Sequence, residues 1–201
     1  EGAELIKAEG TIYTQNKLHL VLTIPDIGAQ VDLSYSICTD SSKNCNSFNP
    51  VSYTGTPELV IDDSSITNNG KINYIKIRAM YNGDSNNVTE KLVAFMIDNI
   101  ADVITVSAPK ENQIIVSKTV EINVVSEKNG SGGTDKNRLL YFYSDVERDD
   151  VDSIEDFVDA TVITGNNSVS VNLNGHYYFY YEDKALNGSI GHIRITVIDN
   201  L

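Results

Sequence analysis

The sequence predicts an all-β protein built from two tandem antiparallel β-sandwiches, with one short helix inserted in the second. Three observations lead to this fold class. Short runs of alternating apolar and polar residues, bounded by turn residues, make up most of the chain. Two sequence signals recur about 100 residues apart, which is one sandwich length. The 201 residues exceed the needs of one sandwich and suffice for two.

The predicted strands fall into two series. Alternation gives each strand one buried face and one solvated face. The first series lies at 18–22, 31–37, 59–61, 72–79 and 92–97. The second series lies at 103–106, 120–125, 139–143, 169–173, 177–181 and 193–198. This number and spacing of short strands is typical of immunoglobulin-like sandwiches.

One segment departs from the strand pattern. Between residues 149 and 158, Val151, Ile154 and Phe157 recur at helical spacing. Aspartates precede them, and these residues cap a helix and complement the positive end of its dipole. We therefore expect one short helix between strands of the second domain.

An internal repeat sets the domain boundary. Met-Ile-Asp-Asn at 96–99 recurs as Val-Ile-Asp-Asn at 197–200. An Asn-Gly turn with alternating large side chains at 69–74 recurs at 174–179. The repeat predicts domains at residues 1–100 and 101–201. Because the second copy falls at the end of the sequence, we expect the native protein to continue into another module.

The composition excludes several classes of partner. The chain is 41% hydrophobic, which suffices for real cores, and its formal net charge is −13. So acidic a surface repels nucleic-acid phosphates and anionic lipid. No apolar run approaches the roughly 20 residues of a membrane helix, so no membrane insertion is expected within these residues.

The two cysteines, Cys38 and Cys45, are seven positions apart. Cysteine metal sites generally need a second pair or added histidines, and the sequence offers neither beside them. A local disulfide across a strand-to-strand loop is the favoured interpretation, and it indicates an oxidising compartment. The alternative is a pair of reduced, exposed thiols.

A stretch of the second half carries a family resemblance. Leu173, Gly175, Tyr177 and Phe179 precede an Asp-Lys-Ala-Leu-Asn loop at 183–187. The stretch resembles the penultimate strand and hairpin loop of bacterial immunoglobulin-like (Big-type) repeats of cell-surface and adhesin proteins. The resemblance implies an extracellular stalk or adhesin without catalytic residues. Leu186 stands where the family pattern has glycine, and the first domain has Tyr-Asn-Gly-Asp at 81–84 instead of the motif.

Tyr177 is interpreted as structural. Its side chain faces the core two positions after a glycine turn, and its hydroxyl is expected to bond back to that turn, as in a tyrosine corner.

The three histidines, His19, His176 and His192, lie on separate predicted strands. A zinc site or catalytic triad needs such side chains to converge, and the spacing does not indicate convergence. We therefore expect histidines at the surface or at strand edges. The acidic residues from Asp145 to Asp156 also lack the glycine and glutamate positions of an EF-hand loop.

Tyr178 and Tyr180 are the candidate ligand-binding face. They alternate with Tyr177, Phe179 and Tyr181, so they point away from the core. Exposed aromatic rings stack on sugars in carbohydrate modules, although tryptophan is absent here. The alternative is ordinary cross-strand packing beneath a neighbouring side chain.

The interdomain linker is a candidate calcium site. Asp98, Asn99 and Asp102 supply hard oxygen donors, and Asp84 is expected to point towards them from a nearby loop. Glu182 and Asp183 are expected at the far end of the second domain, where they could serve the next linker with residues 199 and 200. The alternative is a solvated acidic hinge.

No constellation of residues indicates an enzyme. The leading interpretation is a non-catalytic extracellular module of a bacterial surface protein, a stalk, spacer or adhesion domain, at the cell surface or in the periplasm. The partner would be a protein or glycan on another surface. The alternatives are a ligand-binding module proper, or an accessory domain of a secreted enzyme.

Overall fold

The computed structural model describes residues 11–15, 17–24, 30–38, 45, 47–61, 71–109, 118–128 and 136–198. The described residues form β-strands connected by turns, with a single four-residue helical turn among them. They divide into two compact units, Glu1–Asn99 and Ile100–Leu201. The predicted all-β class is confirmed. Among the described residues, no helix has the length and hydropathy needed to span a membrane.

The part of unit 1 that the structure describes forms two sheets. Its strands are β1 (Thr11–Thr14), β2 (Leu18–Val21), β3 (Val31–Cys38), β4 (Asn49–Val51), β5 (Glu58–Ile61), β6 (Ile72–Tyr81) and β7 (Asp84–Ile97). One sheet has the order β1-β7-β6-β3-β4 and the other pairs β2 with β5. Strand β1 runs parallel to β7, and the remaining pairs are antiparallel.

The core of unit 1 is made by alternate residues of both sheets. In β2, Leu18 and Leu20 are buried, whereas His19 and Val21 are exposed. The buried members of this core are Leu18, Leu20, Leu22, Leu33, Leu59, Ile61, Ile75, Ile77, Ala79, Tyr81, Val93, Phe95 and Ile97. The alternation seen in the sequence therefore marks the core face correctly.

A tight turn joins β6 to β7. Asn82 and Gly83 have φ values of 52° and 68°. Two consecutive residues with positive φ are the signature of a type I′ hairpin turn, which Asn-Gly favours. The Tyr-Asn-Gly-Asp sequence of this unit is thus a hairpin by itself and replaces the longer loop of unit 2.

The described residues of unit 2 form a seven-stranded sandwich. Its strands are β8 (Val103–Ser107), β9 (Val120–Glu127), β10 (Lys136–Ser144), β11 (Thr161–Val162), β12 (Ser168–Val171), β13 (Gly175–Asp183) and β14 (Gly188–Ile195). The sheets have the orders β11-β10-β13-β14 and β12-β9-β8, and all described pairs are antiparallel. This two-sheet topology is that of immunoglobulin-like domains.

Strand β13 is buried on both faces. Tyr177, Phe179 and Tyr181 belong to the core between the sheets, with Ile122, Leu139 and Ile195 among its other members. Tyr178 and Tyr180 belong to a second cluster on the outer face of the same sheet, together with Leu140 and Phe157. The second cluster exists because the chain after β10 folds back over the sheet.

The segment that folds back, residues 145–160, is called the covering segment and contains the predicted helix. The structure has a 3-10 helix at Ile154–Phe157, shorter than the expected span of 149–158. Asp156 accepts hydrogen bonds from the backbone N–H groups of Asp152 and Ser153, at 3.0 and 3.1 Å. Within this segment, Phe157 is buried, and Val151 and Ile154 pack against the same cluster. The helical spacing of these three residues therefore marks a covering face.

Candidate functional site

The disulfide between Cys38 and Cys45 is confirmed. Cys38 is the last residue of β3, and the bond joins it to Cys45 across a seven-residue separation. The intervening residues 39–44, predicted to form an exposed loop, lie outside the described residues. The alternation of residues 31–37 predicts that Cys38 points outward, but this prediction is wrong, because Cys38 is buried, with 5% of its surface exposed.

The expected position of Asp84 beside the linker is wrong. Asp84 is the first residue of β7, and Asp98 follows the last residue of the same strand. In the β6–β7 ladder, Asp84 is paired with Tyr81 and Met96 with Ile72, so nine residue steps of β6, at about 3.3 Å each, separate the two ends by roughly 30 Å. Asp84 instead accepts hydrogen bonds from the backbone and side-chain N–H groups of Asn86. It cannot share a cation with Asp98.

The other acidic residues of the linker belong to different units. In unit 1, Asp98 is 2% exposed and its backbone N–H donates to the carbonyl oxygen of Thr14 at 2.9 Å, while Asn99 is exposed. In unit 2, Asp102 is 3% exposed. Its side chain hydrogen-bonds with the Tyr181 hydroxyl, and its carbonyl oxygen accepts a hydrogen bond from Ser189. Calcium binding by these residues stays a prediction.

Asp183 lies at the same end of unit 2 as Asp102, not at the far end. It ends β13 two residues after Tyr181, which contacts Asp102. The buried Asp183 carboxylate accepts hydrogen bonds from the backbone N–H groups of Ala185 and Asn187, at 2.8 and 3.0 Å. The Asn187 side chain donates a third hydrogen bond at 2.9 Å. The carboxylate thus organises the β13–β14 loop.

Tyr178 and Tyr180 are not an exposed ligand-binding face. They do point away from the inner core, as the alternation predicts, but they are only 3% and 7% exposed. Phe157 covers Tyr180 with its ring centroid 5.5 Å away, and Phe142 lies 5.1 Å from Tyr178. The expectation of exposure is wrong because it did not account for the covering segment.

The hydroxyl of Tyr178 fixes the start of this covering segment. It accepts a hydrogen bond from the Arg148 backbone N–H at 2.7 Å and donates to the Arg148 carbonyl oxygen at 3.2 Å. The Arg148 side chain is held in two hydrogen bonds to Asp150, each 2.9 Å long. Glu147, one residue earlier, is thereby positioned beside β13 and β14.

Two of the three histidines come together, contrary to the sequence-based expectation. In the β13–β14 hairpin, His176 is paired with Arg194 and Tyr178 with His192. His176 and His192 are therefore diagonal neighbours on one face of the sheet. Their Nδ1 and Nε2 atoms, respectively, lie 3.0 Å apart. His19 lies in unit 1, with Nε2 3.4 Å from a Glu58 carboxylate oxygen.

The two histidine rings meet edge to edge. Their centroids are 5.2 Å apart and their planes differ by 6°. A ring nitrogen lies roughly 1.1 Å from the centroid of a five-membered ring with bonds of about 1.33 Å. The nitrogen separation and these two radii together account for the whole centroid distance, so the nitrogens point at each other. One nitrogen donates its proton and the other accepts it.

Glu147 completes the cluster. One carboxylate oxygen of Glu147 and one nitrogen from each histidine all lie within 4.8 Å of one another. The Tyr178 ring stacks on His192 with centroids 4.5 Å apart and an 18° tilt. Burial lowers the pKa of His192, the adjacent His176 lowers it further, and Glu147 acts in the opposite direction.

The sequence matches no protein-family model and no curated protein. Several solved structures are similar to the chain. The FN1-FN3 domains of chicken CNTN1 match at 14% identity and a TM-score of 0.48, over 95% of this chain and 66% of that one. A tetra-tandem repeat in the extending region of a large adhesion protein matches at 17% identity and a TM-score of 0.33, over 90% of this chain and 45% of that one. The human Desmocollin-1 ectodomain matches at 12% identity and a TM-score of 0.25, over 100% of this chain and 38% of that one. This chain spans less than two thirds of each structure.

Proposed function

We propose that the chain is a non-catalytic extracellular module that acts as a spacer in a larger bacterial surface protein and presents its binding region. A spacer has to bear force and hold the binding region at a distance, and both tasks require stable sandwiches. Both units supply these through separate apolar cores, each made by its own residues.

The observation that carries the proposal is the burial of the aromatic side chains on both faces of strand β13. This strand holds the densest aromatic sequence of the chain, and an exposed aromatic strand would have favoured sugar binding. Instead, Tyr177 and Phe179 fill the inner core, and Tyr178 and Tyr180 pack beneath the covering segment. Burying large aromatic side chains stabilises a domain by roughly 1.5–3 kcal/mol each. The aromatic side chains of β13 therefore contribute to stability.

The disulfide supports an extracellular location. Disulfides form and persist in oxidising compartments and are rare in the cytosol. The bond joins Cys38, at the end of β3, to Cys45, seven positions later, and restrains the chain locally. The net charge of −13 is also suited to a surface that must remain solvated and repel non-specific contacts.

Binding assays with the 201-residue chain test the spacer proposal. The fluorescently labelled chain is applied to a glycan array and to bacterial and animal cells, with an unrelated acidic β-sandwich protein as the control. A spacer gives no saturable binding above that control. Saturable binding that unlabelled chain displaces would overturn the proposal and favour an adhesion domain.

A second candidate function, binding of a protein or glycan ligand by unit 1, is favoured by one feature. An open groove of about 860 Å³ borders β3, β4 and β6, with Val51, Tyr53, Arg78 and Met80 in its lining. The Arg78 guanidinium donates two hydrogen bonds to Glu90, at 2.8 and 2.6 Å, and an apolar groove with a few fixed polar groups can hold a ligand. In the same assay, this candidate predicts saturable binding that Arg78→Glu abolishes and Arg148→Glu, in unit 2, does not.

A further inference from the structure

We propose that Glu147, His176 and His192 form a binding site for one divalent transition metal ion, with zinc as the preferred ion, on the outer face of the β13–β14 hairpin. All three residues belong to unit 2, so the site is complete within that unit. It adds a ligand-binding property to the proposed spacer.

The donor set selects the class of ion. Two imidazole nitrogens and one carboxylate oxygen are borderline donors that suit zinc and its neighbours among the first-row metals. Calcium and magnesium prefer shells made only of oxygen donors. Three protein ligands leave a fourth position for water or for a donor atom from another molecule. The cluster therefore differs in its chemistry from any calcium site in the linker.

The separation of the two histidine nitrogens is close to that of a zinc site, and the Glu147 oxygen lies within 4.8 Å of the histidine donors. Zinc–nitrogen bonds of about 2.05 Å at a tetrahedral angle place two ligand nitrogens about 3.3 Å apart. The Nδ1 of His176 and the Nε2 of His192 are already 3.0 Å apart. Because the ion lies off the line between them, each ring has to turn by roughly 35°. His192 and Glu147 are exposed, which leaves them room to adjust.

The surroundings hold the ligands in place. His176 and His192 lie on two hydrogen-bonded strands, which position side chains more rigidly than loops do. The ring of Tyr178 stacks on His192, and its hydroxyl fixes the backbone next to Glu147. The positive charge of Arg148 is paired with Asp150, which reduces its repulsion of a cation.

The same atoms explain how an ion would replace a proton. Without metal, a single proton joins the two facing nitrogens. A metal ion needs a lone pair from each nitrogen, so His176 must carry its proton on Nε2 and His192 must carry its proton on Nδ1. For a neutral pair, this exchange changes the tautomer and releases no proton.

Calorimetric titration with zinc chloride tests the proposal. The 201-residue chain is stripped with a chelator and dialysed, and the expected result is saturable binding of one ion per chain. His192→Gln should abolish this binding, since it removes a ligand at an exposed position. His19→Gln is the matched control in unit 1 and should bind zinc as the wild type does.

A second variant separates ligand loss from misfolding. Glu147→Gln changes an exposed carboxylate and should weaken zinc binding at least tenfold, with an unchanged circular dichroism spectrum. Equal affinities in the wild type, His192→Gln and Glu147→Gln would overturn the proposal. Absence of saturable heat at millimolar zinc would overturn it too and would leave a proton-sharing histidine pair. Calcium added in excess should not displace the zinc.

Discussion

The hydroxyl of Tyr177 donates a hydrogen bond to the carbonyl oxygen of Leu173, four residues earlier, at 2.8 Å. This is the bond to the upstream turn that the sequence predicts for a tyrosine corner. The Tyr143 hydroxyl donates to the carbonyl oxygen of the next residue, Asn174, at 3.0 Å. Two strands thus hold the same turn, one from the core and one from the surface.

Replacing Tyr177 by phenylalanine should lower the free energy of unfolding by about 1–2 kcal/mol, because it leaves the carbonyl oxygen of Leu173 without this donor in a part-buried setting. Urea denaturation measures the change. Tyr143→Phe removes a similar bond at an exposed position and should cost at most about 0.5 kcal/mol. Equal losses in the two variants would contradict a special role for the corner.

Leu186 adopts a backbone conformation that suits glycine. Its φ is 67°, and its side chain is 59% exposed. The left-handed region costs a side chain with a Cβ roughly 1–2 kcal/mol, and glycine avoids this cost while losing more entropy on folding. Leu186→Gly should therefore raise the free energy of unfolding by up to about 1 kcal/mol.

The control for this change is Leu173→Gly. Leu173 is also exposed but has no positive φ, so glycine there should lower the free energy of unfolding. Thermal unfolding of both variants gives the comparison. A lower stability of Leu186→Gly than of the wild type would show that side-chain contacts of Leu186 outweigh the cost of its backbone conformation.

Alkaline pH should unfold unit 2 through its buried tyrosines. Burial raises the pKa of Tyr177, Tyr180 and Tyr181 above the unfolded value of about 10. Below that pH both states keep these protons, and the stability is independent of them. As the pH rises above about 10, the unfolded state loses its protons first, so the free energy of unfolding falls.

A spectrophotometric titration of the phenolate absorbance checks this sign. A group of tyrosines should ionise late, together with the loss of the circular dichroism signal. Reversible ionisation of every tyrosine in a chain that remains folded would refute the assignment of these three to buried positions.

Calcium binding at the linker predicts a specific pattern of variants. If Asp98 and Asp102 supply ligands, Asp98→Asn and Asp102→Asn should each abolish the heat of calcium binding. Asp84→Asn should not, because Asp84 lies at the opposite end of β7 from Asp98. No calcium heat in the wild-type chain, or an equal loss in Asp84→Asn, would leave the solvated acidic hinge as the better interpretation.

Local sequence patterns predicted the core well, because burial in a strand follows the alternation of residues. The alternation assigned Tyr177, Phe179 and Tyr181 to the inner core correctly. It also assigned Tyr178 and Tyr180 to the other face correctly, but it could not show what covers that face. The helical spacing of the apolar residues near Phe157 was the signal for this cover, because an apolar helix face must pack against another apolar surface.

The histidine pair was missed because it depends on strand register. Counting outward from the loop after Asp183 pairs Tyr178 with His192 and makes His176 its diagonal neighbour. The sequence fixes this register only once the loop length is known, and reading the strands one at a time does not supply it. The short strands β1, β4 and β11 were missed for a similar reason, because they are defined by their partners.

Force spectroscopy of the 201-residue chain, pulled from its two ends, tests the spacer role most directly. Each unit of roughly 100 residues should unfold in its own event and release about 30 nm of chain, at about 3.6 Å per residue less the folded length. Reduction of the Cys38–Cys45 bond should lengthen only one of the two events, by about 2 nm. A single event that releases the whole chain, or extension without any force peak, would contradict the proposed spacer.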